Sequence, residues 1–107
     1  MKHSLTDKFI QNDMNAFLEM YHSGTVAREV VEAMSDARLV SCTSTAMAER
    51  LTAAREQGKS GWWNSEECSI TTLKSRLKAC LEGGDMIDVV NLAAMIHIRE
   101  VMDGISA

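Results

Sequence analysis

The fold turns on one stretch, Gly83-Gly84-Asp85-Met86-Ile87-Asp88-Val89-Val90-Asn91-Leu92-Ala93-Ala94-Met95-Ile96-His97-Ile98-Arg99-Glu100-Val101-Met102. Two adjacent glycines stop whatever helix precedes them, because glycine takes the left-handed conformation at a helix C-terminus. Asp85 then begins a new helix, with its carboxylate at the positive end of the helix dipole, and Asp88 adds a second favourable charge in the first turn. From Met86 to Met102 apolar residues fall on nearly every side. A helix of that kind is usually buried on every side, so it is predicted to be the central element, covered by the other helices or by a second subunit.

Upstream, Ser69 reads as an N-cap. Ile70, Leu73, Leu77, Cys80 and Leu81 follow at helical spacing, which predicts a helix stopped by Gly83-Gly84. Before it lies the clearest loop, Gly58-Lys59-Ser60-Gly61-Trp62-Trp63-Asn64, which holds both tryptophans of the chain. Nearer the N-terminus, Ser4 or Thr6 can cap a first helix whose stripe is Phe9, Ile10, Met14, Phe17, Leu18 and Tyr21, closed by Gly24. Thr25 is placed to cap a second, thinner one with Val26, Val30, Ala33, Met34 and Ala37. Helix propensity falls across Leu39-Val40-Ser41-Cys42-Thr43. This reads as a break or a weak continuation, with Thr43 or Ser44 capping a third helix (Met47, Leu51, Ala54) that ends at Gly58. The expectation is an all-α single domain over residues 1–107, a small bundle of four to five helices around a central C-terminal apolar helix.

Composition bounds the rest. The 107 residues are 46% apolar and 24% charged, with no proline and a net charge of -4. That is one domain's length, too apolar and too weakly charged for a disordered chain. No apolar run approaches the roughly 20 residues of a membrane span, and the N-terminal residues lack a signal peptide's apolar stretch. The expected setting is cytoplasmic. Cys42, Cys68 and Cys80 are an odd number of widely spaced cysteines, which argues for reduced thiols.

The residue patterns exclude most chemistry. Zinc sites use ligand pairs at short spacing, whereas His3, His22 and His97 are isolated and read as a surface, a helix-end and a near-core histidine. No serine or cysteine has a base beside it, although Cys68 stands just before a helix start. Gly58-Lys59-Ser60-Gly61 lacks the upstream glycine, spacing and strand of a phosphate loop. No cofactor, metal or catalytic residue is expected. Charge is uneven: residues 1–36 carry three basic and six acidic groups, 37–78 seven and four, and 79–107 one and five. Arg50, Arg55, Lys59, Lys74, Arg76 and Lys78 around the tryptophans could hold phosphates and stack bases, but Glu49, Glu56, Glu66 and Glu67 are interleaved with them. A solvated, ion-paired face is the stronger reading. Of the tandem tryptophans, one is expected in the core (Trp62) and one nearer solvent (Trp63), where exposed tryptophan makes a binding hot spot. Trp63, Arg55 and Lys59 are the candidate partner-binding residues.

Arg55-Glu56-Gln57-Gly58-Lys59-Ser60-Gly61-Trp62-Trp63-Asn64, Cys68-Ser69-Ile70 and Gly84-Asp85-Met86-Ile87-Asp88-Val89-Val90-Asn91-Leu92-Ala93-Ala94-Met95, with Met47-Ala48-Glu49-Arg50-Leu51 upstream, resemble a family of small phage and prophage accessory proteins. In that family a glycine-rich turn ending in Gly-Trp precedes a short helix, then Gly-Asp and an Asp-Val-x-Asn helix start. The resemblance covers roughly residues 46–97, with Ser60 where glycine is common and Met86 where proline often begins the last helix. Residues 1–45 stand outside it as an N-terminal helical addition to the family-like core, 46–107. The family carries no established activity. The resemblance implies a viral or prophage origin, and a protein acting in the bacterial cytoplasm by binding and modulating a host or defence protein.

The shared residues also have a mechanical reading: Gly58 and Gly61 bracket a tight turn, Trp62 inserts between helices, and Asp85 and Asp88 start the last helix. Asn91 is that helix's one buried polar residue, with its partners expected in the backbone of the tryptophan loop. The binding surface would then lie elsewhere, on the N-terminal helices. A small nucleic-acid-binding protein using the basic middle third is the alternative. A homodimer is also expected, through the 86–102 helix, the N-terminal helix bearing Phe9, Phe17 and Tyr21, or both, because a monomer of this size covers a central helix poorly; the competing reading is a monomer in which that N-terminal helix folds back over the centre.

Overall fold

A computed structural model describes residues 5–104. These form four helices and no strand: α1 (Leu5–Ser23), α2 (Arg28–Glu56), α3 (Ile70–Gly83) and α4 (Met86–Met102). None is long and apolar enough to cross a membrane. The chain divides into two compact units, Met1–Ser44 and Thr45–Ala107. Ser4 and His3 lie outside the described residues, and Thr6 sits inside the first turn of α1.

In the first unit, Gly24 at φ 70° ends α1, and its N–H bonds the carbonyl of Tyr21 at 3.2 Å. Thr25 does not cap α2, which starts three residues later; its hydroxyl pairs instead with that of Ser23. Asp13 meets Arg38 at 3.0 Å and the Arg28 guanidinium lies over the Tyr21 ring, 5.8 Å from its centroid. Those pairings run in opposite order along the two helices, so α1 and the start of α2 form an antiparallel hairpin.

Of the two readings of Leu39–Thr43, a break or a weak continuation, the helix continues: α2 runs unbroken for 29 residues. Val40 and Thr43 each cost only a few tenths of a kcal/mol relative to alanine, too little to break a helix with strong formers on both sides. Ser44 does not cap a third helix either. Its hydroxyl donates back to the Ser41 carbonyl at 3.1 Å, as Thr52 does to Ala48 at 3.0 Å, and both bonds are compatible with continuous helix.

The core of the second unit is Cys68, Leu73 and Ile96, with Trp62, Leu77, Leu92 and Met95 packed against it. Helices α3 and α4 pack directly on each other. Their connection is two residues long. Gly84, at φ 82°, ends α3 in a left-handed turn in which the Asp85 N–H reaches the Cys80 carbonyl at 3.3 Å. The side chain of Asp85 then caps α4 by accepting from the Asp88 N–H at 3.2 Å. Ser69 caps α3 the same way, accepting from the Thr72 N–H at 3.1 Å. Helix α4 is not covered on every side. It buries Asn91, Ile96 and Arg99, while Met86, Ile98, Val101 and Met102 stand 44–60% exposed. His97, read as near the core, is exposed.

Candidate functional site

The tryptophan loop is built by glycine and held by an arginine. At its start, Gly58 (φ 87°) ends α2, with its N–H on the Arg55 carbonyl at 2.9 Å and the Lys59 N–H on the Ala54 carbonyl at 3.0 Å. This is the paired bonding of a glycine-terminated helix. Gly61 (φ 80°) is buried, and a Cβ there would meet the Glu67 side chain at 3.1 Å. Beyond the tryptophans, Asn64 closes the loop. Its carbonyl accepts from the Cys68 N–H at 2.9 Å, its Oδ1 from the Glu66 N–H at 3.0 Å, and its Nδ2 donates to Glu67 at 2.8 Å.

Trp62 is half-buried against the core, whereas Trp63 is 56% exposed. The backbone between them and the core is fixed by Arg99, which is 1% exposed. Its Nη1 donates to the carbonyls of Trp62 at 2.8 Å and Cys68 at 2.6 Å, and its Nη2 lies 3.6 Å from Asp103, one turn on. Carbonyls and a carboxylate take protons of the two Nη groups, which is how a buried guanidinium is tolerated, while Nε is left without a partner. The role expected of Asn91 therefore belongs to Arg99. Asn91 is buried, but its Nδ2 donates to the Met47 carbonyl of α2 at 3.3 Å and not to the tryptophan loop. Nor is it the one buried polar residue of α4. Arg99 was legible only as an arginine in an apolar helix with an aspartate four residues on, a weak signal.

A second polar cluster ties α2 to the start of α4. Arg50 Nη1 donates to Asp85 at 2.6 Å and to Asp88 at 3.0 Å. The hydrogen bond from Arg50, reinforced by the Asp88 N–H, holds the Asp85 carboxyl below the ordinary carboxylate range, and Asp85 in turn raises Arg50. Lys74 lies 3.8 Å from Glu100. With Arg38 on Asp13, three members of the basic middle third are thus ion-paired. Arg55 and Lys59 are exposed at the entry to the loop.

Cys42, Cys68 and Cys80 are free thiols, Cys68 being buried. Among the described residues, no three histidine, cysteine or acidic side chains converge as metal ligands would. The arrangement is a hydrogen-bonded turn that displays an indole. Comparison with protein-family models, with curated proteins and with solved structures finds no match for this chain.

Proposed function

We propose that this protein is a non-enzymatic interaction protein that binds another protein through the tryptophan loop, with Trp63 as its anchor and Arg55 and Lys59 at its edge. The observation that carries the reading is the exposure of Trp63, 56%, on a turn whose backbone is clamped by a buried arginine. A large aromatic held in place before binding loses little entropy on docking, which is how hot spots gain affinity. In this reading α4 is the central helix of Thr45–Ala107, since it supplies both the arginine that clamps the loop and the asparagine that anchors α2. The resemblance to small phage and prophage accessory proteins supplies the partner class: a host or defence protein in the bacterial cytoplasm, modulated by being bound.

Nucleic-acid binding is the weaker reading, because Arg50 and Lys74 already face carboxylates and offer a phosphate chain less. The deciding experiment immobilises the full chain and its Trp63→Ala variant in bacterial lysate, with and without nuclease. The proposal expects a protein retained by the unaltered chain, lost with Trp63→Ala and indifferent to nuclease. Retention that depends on nucleic acid and falls steeply with salt would overturn it in favour of the alternative. Equal retention by both baits would remove Trp63 from the site.

A further inference from the structure

The two halves of α2 are held by different means. From Thr45 on, Met47, Leu51, Ala53 and Ala54 are half-buried, the Met47 carbonyl accepts from Asn91, and Arg50 reaches Asp85 and Asp88. Between Asp7 and Ser44, by contrast, no side chain is buried. Phe9, Leu18, Leu39 and Val40 are 60%, 52%, 65% and 66% exposed. The Asp13–Arg38 pair that joins α1 to α2 is itself about 40% exposed, and an ion pair so open to solvent adds little. Most helical stability in proteins comes from packing an apolar face, and helices without it are marginal in water. The residues at the boundary also suit a second helix start. Val40-Ser41-Cys42-Thr43-Ser44-Thr45 contains no strong helix former. In the continuous helix the Ser44 hydroxyl donates back to the Ser41 carbonyl at 3.1 Å, a bond that slightly weakens a helix. With the chain unwound to this point, the same hydroxyl can accept from the N–H of Ala46 or Met47, as an N-cap does.

We infer that the hairpin is a separately opening element: α2 unwinds from its N-terminal end as far as Ser44, which then caps the remaining helix, while the second unit stays folded. Unwinding from an end leaves one helix and needs no new nucleus, the expensive step in helix formation. The shortened helix keeps its ties to α4 through Met47 and Arg50, so opening stops where those ties begin. Proteins open in such cooperative pieces, and the piece with the fewest buried contacts opens first. The hairpin thus has two states, closed with α2 continuous and open with α2 starting at Thr45. The inference stands on the hairpin alone and is independent of the reading of the tryptophan loop.

Native-state amide hydrogen exchange on the full chain tests this. Amides of α1 and of α2 up to Val40 should exchange about a hundredfold or more faster than those of Leu73 and Ile96, yet more slowly than an unfolded peptide. Amides of Leu51–Arg55 should exchange with α4 and not with the hairpin. Two substitutions at the boundary give opposite signs. Ser44→Ala improves the continuous helix and removes the cap of the shortened one, so hairpin exchange should slow by about fivefold. Ser44→Asp does the reverse, a strong cap and a poor interior residue, and should speed it. Neither should alter exchange at Ile96. The inference is overturned if the hairpin exchanges together with α4, or shows no protection at all. It is equally overturned if Leu51–Arg55 opens with the hairpin, or if both Ser44 variants leave hairpin exchange unchanged.

Discussion

Arg99 is the residue on which the tryptophan loop depends. Replacing it with methionine keeps much of the volume but leaves the Trp62 and Cys68 carbonyls without a donor. Each buried, unpaired carbonyl costs ~1–3 kcal/mol, so Arg99→Met should destabilise by about 2–4 kcal/mol in urea titration. Capture of the partner should also weaken, although Trp63 itself is unaltered. The two tryptophans should separate cleanly: Trp62→Ala removes core packing and should cost ~3 kcal/mol, whereas Trp63→Ala, at an exposed position, should cost less than about 1 kcal/mol. Equal losses would contradict the assignment. Gly58 and Gly61 make a similar comparison. Alanine is strained at both positive φ angles, but only at Gly61 does its Cβ also meet Glu67, at 3.1 Å. Gly61→Ala should therefore be the more destabilising of the two.

Among the elements, α4 is set by its first turn. Asp85 terminates the α3 turn, caps α4 and pairs with Arg50. Asp85→Ala should cost ~1 kcal/mol for the cap, plus less than that for an ion pair about 40% exposed and screened by solvent. The pH dependence follows from the lowered folded pKa of Asp85, against an ordinary value of 3.8. Its contribution is fully present above that value and is lost as pH falls through the folded one. Urea midpoints at pH 7 and pH 3 should fall less for Asp85→Asn than for the unaltered chain. An equal fall in both would show that Arg50 gives the carboxylate no protection. Helix α2 teaches the complementary lesson. Its middle looked weak residue by residue, but the penalties at Val40 and Thr43 are small beside the cost of restarting a helix, since nucleation is the expensive step.

For the whole molecule, the three free thiols give a direct expectation: a reducing agent should leave the melting temperature unchanged, since no cross-link stabilises the native state. A drop of several degrees would reveal a disulfide. Among its described residues the second unit has three buried apolar residues at its centre, so its stability rests heavily on the polar ties around them. Mutation of Arg99, Asn91 or Arg50 should consequently cost a larger share of the total than in a domain with a broad core.

The sequence by itself determined that the chain is helical, and where most helices stop and start. Gly24, Gly58, Ser69, Gly84 and Asp85 act through their own backbone preferences or through neighbours within four residues, and such local effects are written in the order of the chain. It also marked the tryptophan loop as the feature to explain. Only the tertiary structure decided which polar residue of α4 holds that loop, and that Arg50 faces Asp85 and Asp88 across 35 and 38 residues of chain. Asn91 and Arg99 both sit on an apolar helix, and periodicity cannot say which one meets a carbonyl. That choice depends on the rotation of α4 in its packing against α3, where Ile96 meets Leu73, and is legible in no single helix.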